Sequence, residues 1–260
     1  MNILLVGNGR WGKNYVTTIK EFSNIKLLIA TKENWKTFEN ISGVIIATNP
    51  DSHITIASHF LSKNIPILIE KPVSLKLKGL YSIEQYNDLI LVNYGQLFTD
   101  AFKKLKTIDN ISFITTNGFG ISSHNYSDLF DYGVHDLSLI LNLINEYPKS
   151  INCTKLKYGG YEIKLSFNTC NTISVVGEIQ KDIDGLIKAR DIEIESDGLV
   201  YYYDDLRRPK CHKTPLFNVI QEFLNLINKV NSVKKDDRFG LRLSFDITKI
   251  LDECYNQVKR

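Results

Sequence analysis

The chain has 260 residues, 43% of them hydrophobic, enough for a real core in one large domain or two smaller ones. Its 32 basic and 29 acidic residues leave a formal charge of +3; that balance, with no basic tract of interleaved aromatics, argues against nucleic acid. No apolar run reaches transmembrane length, Met1 leads into an apolar strand rather than a signal peptide, and Cys153, Cys170, Cys211 and Cys254 form no CxxC pair, so a cytoplasmic protein with reduced thiols and no bound metal is expected.

Asn2–Val6 reads as a buried strand. Gly7-Asn8-Gly9-Arg10-Trp11-Gly12 follows at once, and a helix is predicted from Lys13 to about Glu21. This is the GxGxxG spacing between strand and helix. Gly7 permits the tight turn, Gly9 lets backbone approach a pyrophosphate, and Gly12 lets helix and strand pack closely. The helix N-terminus offers amides and a positive dipole end, so a dinucleotide site with Arg10 and Trp11 in its rim is expected.

A second strand, Ile25–Ala30, ends at Thr31-Lys32 where an NAD-binding chain usually carries an acid. A hydroxyl and a cation, with Arg10 as a second charge, suit a 2′-phosphate, which leans the cofactor reading from NAD toward NADP. The alternative is a merely solvated Lys32. A short helix near Trp35–Asn40, a strand at Gly43–Thr48 and a helix at Ile54–Ser62 come next. Ile65–Glu70 is then an apolar strand without polar alternation, the mark of burial on both faces of a parallel sheet. It stops at Glu70-Lys71-Pro72, which places a Lys at the carboxyl edge where ligands sit in open α/β sheets. A helix at Leu75–Asn87 and a strand at Leu89–Val92 complete a doubly wound α/β unit, residues 1–92.

From residue 93 the patterning changes. A helix over Thr99–Ile108 and a strand over Ile111–Asn117 precede Asp131-Tyr132-Gly133-Val134-His135, with helical apolar spacing from Val134 onward. Asp131 and His135 are four apart and share a face if the helix begins early enough. A carboxylate beside an imidazole raises its pKa and orients it, as general acid–base work requires. A capping Asp and a structural His are the alternative. Strands are predicted at Ile151–Tyr158, Tyr161–Asn168, Thr172–Gln180, Ala189–Ser196 and Leu199–Tyr203, joined by short turns as in an antiparallel sheet. Helices at Pro215–Val230 and 238–259 end the chain, making residues 93–260 a second, α+β domain. Tyr201-Tyr202-Tyr203 reads either as a contact surface or as ordinary strand alternation.

Three segments together, GNGRWG, ATNPDSH and ILIEKP, with DYGVHD further on, resemble the Gfo/Idh/MocA family of glucose–fructose oxidoreductases and inositol dehydrogenases. The resemblance implies a Rossmann domain followed by an open, mostly antiparallel sheet covered by helices on one face. It implies cofactor contacts at Thr48, Asn49, His53, Glu70 and Lys71 as well as the glycine loop, and an often cis Lys71-Pro72 bond. Lys71, Asp131 and His135 then flank the substrate as the catalytic set, with Glu70 helping to place Lys71. The family's Arg-Phe pair is Leu97-Phe98 here. Implied too are an NAD(P)-dependent hydride transfer on a sugar or nucleotide sugar, possible work in surface-polysaccharide synthesis, and a homodimer or homotetramer built on the open sheet. The alternatives are a non-catalytic dinucleotide-binding regulator and a biliverdin-reductase-like reductase.

Overall fold

The computed structural model describes residues 1–31, 33–120, 127–157, 159–178, 190–203, 213–228 and 239–259. The chain divides into two units, Met1–Gly95 with Lys213–Phe245, and Gln96–His212 with Asp246–Arg260.

In the first unit, strands β1 (Asn2–Val6), β2 (Lys26–Ala30), β3 (Gly43–Ile46), β4 (Ile67–Glu70) and β5 (Ile90–Asn93) form one sheet in the order β2-β1-β3-β4-β5. Every pairing is parallel. All four residues of β3, β4 and β5 are buried, as continuous apolar runs in a doubly covered sheet must be. Helix α1 (Arg10–Ile19) follows β1 and α2 (Pro50–Leu61) follows β3. The strand order reverses between β1 and β3. The crevice at the carboxyl ends of those two strands is therefore the sheet's switch point, where ligands bind in such folds.

The helix expected at Leu75–Asn87 is broken into α3 (Leu77–Tyr81) and a 3-10 turn at Glu84–Leu89. The Ser82 hydroxyl turns back onto the Gly79 carbonyl, and Ile83 drops fully into the core. A single cut after residue 92 is the sequence reading of the domains; here residues 213–245 return to the first unit. Its α6 (Pro215–Ile227) carries Phe217, which stacks on Phe22 with ring centroids 4.4 Å apart. Ser244, in the first turn of α7 (Leu241–Val258), hydrogen-bonds the Tyr94 hydroxyl at 2.8 Å. No local pattern announces such pairings, because the partners are more than a hundred residues apart.

The second unit holds α4 (Asp100–Leu105), α5 (Asp128–Ile144) and the later turns of α7. Its strands are β6 (Ile111–Gly120), β7 (Ser150–Lys155), β8 (Tyr161–Ser166), β9 (Asn171–Glu178), β10 (Arg190–Ser196) and β11 (Leu199–Tyr203). They form a sheet in the order β11-β10-β6-β9-β8-β7, antiparallel except for β6 beside β9. Alternation along β6 and β10 sends one face into the core under α5. The Tyr run lies on the edge strand β11, where Leu199, Val200 and Tyr202 are about 60% exposed.

Gly43 opens β3 under α6. An added Cβ there would lie 2.5 Å from Ile227 Cδ1 and 2.9 Å from Phe223 Cζ. Gly43→Val is expected to lower the unfolding free energy by about 1–3 kcal/mol through overpacking. A lower urea midpoint at unchanged slope would report it, and a variant as stable as the parent would contradict this packing.

Candidate active site

The glycine loop is built by close approach. Gly7 has φ +103°, a conformation that disfavours a side chain, and its Cβ would lie 2.7 Å from the Ala47 carbonyl oxygen. A Cβ on Gly12 would collide with the Gly7 carbonyl. Gly9 differs. It is the N-cap of α1 with extended backbone, and a Cβ there meets nothing within 4 Å. No side chain caps α1, and no acid stands in its first turn. The helix starts at Arg10, three residues earlier than its apolar spacing suggests, with Arg10 and Trp11 exposed beside the loop.

Thr31 closes β2. Its amide and hydroxyl both donate to Asn34 Oδ1, at 2.9 and 3.3 Å. Lys32, the other residue bearing on cofactor choice, lies outside the described residues. Asn49 is the N-cap of α2, and Thr48 Oγ1 accepts the Ser52 hydroxyl at 2.8 Å. His53 has no exposed surface. Its Nε2 faces the Thr48 carbonyl oxygen at 2.9 Å and its Nδ1 the Pro72 carbonyl oxygen at 3.0 Å. Burial pulls its pKa down while the two carbonyls pull it up, and burial wins. A neutral ring then donates to one carbonyl at a time. The ring braces the segment after β3 against the segment after β4.

At the end of β4, Glu70 is buried. Its Oε1 accepts from the Tyr15 hydroxyl at 2.7 Å and from Asn93 Nδ2 at 2.6 Å, and Asn93 Nδ2 also reaches the Tyr15 oxygen at 2.8 Å. Tyr15 comes from α1, Glu70 from β4 and Asn93 from β5, where Glu70 and Asn93 are register partners. Burial raises the pKa of both Glu70 and Tyr15. Lys71 follows, half-buried, and its bond to Pro72 is cis. Sequence reading missed Tyr15 and Asn93. The available signal was a polar residue ending each of two neighbouring apolar strands.

In the second unit, α5 begins at Asp128, with the Ser127 hydroxyl accepting from the Leu129 amide at 3.3 Å. Asp131 and His135 are therefore both inside the helix, four apart on one face. Asp131 is buried and His135 half-buried. The next residue, Asp136, is 1% exposed and pairs with Arg190 on β10, Oδ1 to Nη1 at 3.3 Å. The Gln96 carboxamide, set with its oxygen toward the guanidinium, accepts from Nε and Nη1 at 3.1 Å each. Burial pushes the Asp136 carboxyl up to about 6, against the opposing pull of Arg190 and the Thr116 hydroxyl and with a small push from Asp191. This cluster too was missed. Leu97 and Phe98, at the family's Arg-Phe positions, are both buried. Lys71 belongs to the first unit, Asp131 and His135 to the second.

By sequence, the chain matches no protein-family model and no curated protein. Solved structures match it end to end. A protein from Magnetospirillum magnetotacticum MS-1 is 20% identical, with a TM-score of 0.82 over 98% of this chain and 99% of that one. The UDP-N-acetylglucosamine 3-dehydrogenase of Acidithiobacillus ferrooxidans is 13% identical, with a TM-score of 0.81 over 100% and 97%. The scyllo-inositol dehydrogenase of Lactobacillus casei, solved with bound NAD(H) and scyllo-inositol, is 15% identical, with a TM-score of 0.79 over 100% and 97%. This chain has the Gfo/Idh/MocA dehydrogenase fold. Within the described residues, no helix of this Gfo/Idh/MocA fold is long and apolar enough to cross a membrane.

Asp136 gives a pH test of the second unit. Its carboxyl titrates near 3.8 when unfolded and at about 6 when folded. The native state therefore holds the proton more tightly, and stability falls as pH rises through that window, then levels off. On going from about pH 7.5 to about pH 5, the wild type is expected to gain roughly 1–2 kcal/mol relative to Asp136→Asn. Urea unfolding at the two pH values measures this, and a parallel response of the two proteins would contradict the assignment.

Proposed function

We propose that the chain is a nicotinamide-dependent oxidoreductase acting on a sugar or nucleotide-sugar hydroxyl or its carbonyl. The observation that carries this is the open space over Gly9, at an uncapped helix N-terminus on the switch point of a parallel sheet. A dinucleotide pyrophosphate suits that cradle, because amides and the dipole end favour an anion and the missing Cβ leaves room for it. Support for a polyol-type substrate comes from the inositol and nucleotide-sugar dehydrogenases of the same fold. When bound, the cofactor supplies or accepts the hydride.

The chain's own residues supply position and protons. Gly7, Gly9, Gly12, Arg10 and Trp11 hold the cofactor at the glycine loop, with Thr48, Asn49 and the His53 brace at the neighbouring segment. Lys71 and His135 hold and move the hydroxyl proton, and Asp131 keeps the His135 imidazole oriented. Thr31, Lys32 and Arg10 favour a 2′-phosphate, hence NADP. The open face of the second sheet, ending in the exposed Leu199 and Val200 on β11, joins copies of the chain. Cys153, Cys170 and Cys254 are free thiols, in keeping with a cytoplasmic setting.

Gly9→Val is expected to abolish NADH and NADPH binding while leaving the melting temperature near the parent's, since a Cβ there meets no protein atom within 4 Å. Titration against both nucleotides, followed by tryptophan fluorescence, reads it. Unchanged affinity in the folded variant would refute the cofactor site. Tighter binding of NADPH than NADH by the parent, with the difference lost in Lys32→Ala, is the expected outcome for cofactor choice.

Turnover tests the chemistry. In a screen of inositols and UDP-sugars with either cofactor, Lys71→Ala and His135→Ala should each lower turnover of the responsive substrate by about 100- to 10,000-fold. Cofactor affinity should stay near that of the parent. Full activity in the double variant would remove both residues from the mechanism.

A further inference from the structure

Helix α5 presents a packing problem. Thirteen of its 17 residues are buried, and most of those are apolar. Apolar burial is strong but not directional, so such a helix has several nearly equivalent rotations and slides on a sheet. Yet Asp131 and His135 must face one direction to share a substrate. Each residue turns the helix by about 100° and advances it about 1.5 Å, so a one-residue slip would carry His135 far from any fixed target.

A buried, directional contact restricts that freedom. Asp136, next to His135, reaches Arg190 Nη1 at 3.3 Å, and Gln96 accepts from Nη1 and Nε of the same guanidinium at 3.1 Å each. The three groups come from α5, from β10 and from the 3-10 turn at Gly95–Phe98. The sheet is cut to receive the carboxylate. Gly118 on β6 is the register partner of Arg190, and a Cβ on Gly118 would lie 2.8 Å from Asp136 Oδ1. A buried ion pair is a poor source of stability but is costly to break, which is what a register device needs.

We infer that Asp136, Arg190 and Gln96, with the notch at Gly118, form a register pin that sets the rotation of α5 and so presents Asp131 and His135. These are positioning residues, and the inference rests on the reading of His135 as a group that handles the substrate proton.

The test replaces the pair by apolar residues of similar volume, Asp136→Leu with Arg190→Met. That double variant is expected to fold with a melting temperature at or above the parent's, as replaced buried ion pairs often do, and to bind the cofactor as the parent does. The NMR signal of the His135 ring, assigned by its loss in His135→Gln, is expected to shift and to titrate at a different pH. The other four histidines of the chain keep their signals. Gly118→Ala, which keeps both charges but fills the notch, is expected to shift the same signal. Turnover of the substrate found in the screen should fall by about 100-fold, the size expected of a small misplacement. A His135 signal and titration unchanged in both folded variants would overturn the pin. Failure of the underlying reading looks different: His135→Ala would then turn over substrate like the parent, whatever the ring signal does in the pin variants.

Discussion

A buried carboxylate holds the carboxyl edge of the first unit's sheet together. Glu70 is the last residue of β4, and its oxygen takes hydrogen bonds from Tyr15 on α1 and Asn93 at the end of β5. Burying an acid without donors would be expensive, so the three side chains constrain one another. The consequence is geometric. The helix that starts at the glycine loop cannot shift without breaking the bond that also holds the strand end before Lys71. His53 does the same for the next pair of loops, bracing Thr48 against Pro72. The glycine loop, the segment after β3 and the Lys71-Pro72 turn are thereby held as one edge. Pre-set groups of this kind are what a site needs if binding is not to be spent on ordering it.

The two units repeat a device. Glu70 immediately precedes Lys71, and Asp136 immediately follows His135. In each case a buried acid next to a candidate reactive residue is held by partners far away in sequence. The electrostatics differ. Glu70 accepts from two neutral donors, Tyr15 and Asn93, and its pKa rises because burial outweighs them and the added pull of the Lys71 charge. Asp136 faces a guanidinium, yet burial still pushes it up to about 6. In both arrangements hydrogen-bonding partners hold the buried acid in one direction.

Much of this was legible in the chain. Apolar runs without alternation marked β3, β4 and β5, because a sheet covered on both faces leaves no polar side. The spacing of Gly7, Gly9 and Gly12 between strand and helix marked the loop, because Gly7 and Gly12 answer local steric demands and Gly9 leaves open space at the helix start. What was not legible is long-range. Tyr15 reads as an ordinary core aromatic on an amphipathic helix, and nothing near it points to Glu70. Arg190 reads as a strand-end cation until the fold sets it opposite Gly118. The early start of α5 was written in its Ser127 cap and the acids Asp128 and Asp131, but apolar periodicity begins only later. The return of residues 213–245 to the first unit has no local mark, since α6 looks like any amphipathic helix.

The central claim is that this chain moves a hydride between a nicotinamide and a carbon bearing oxygen. The most direct measurement follows the hydrogen itself. A polyol or nucleotide sugar deuterated at the carbinol carbon is incubated with the protein and the oxidised cofactor, and the recovered nicotinamide is examined by NMR. The account predicts deuterium at C4, on one face only, with none acquired from solvent. Reduced cofactor carrying solvent hydrogen at C4, or no deuterium transfer from any substrate that the protein demonstrably binds together with the cofactor, would contradict it.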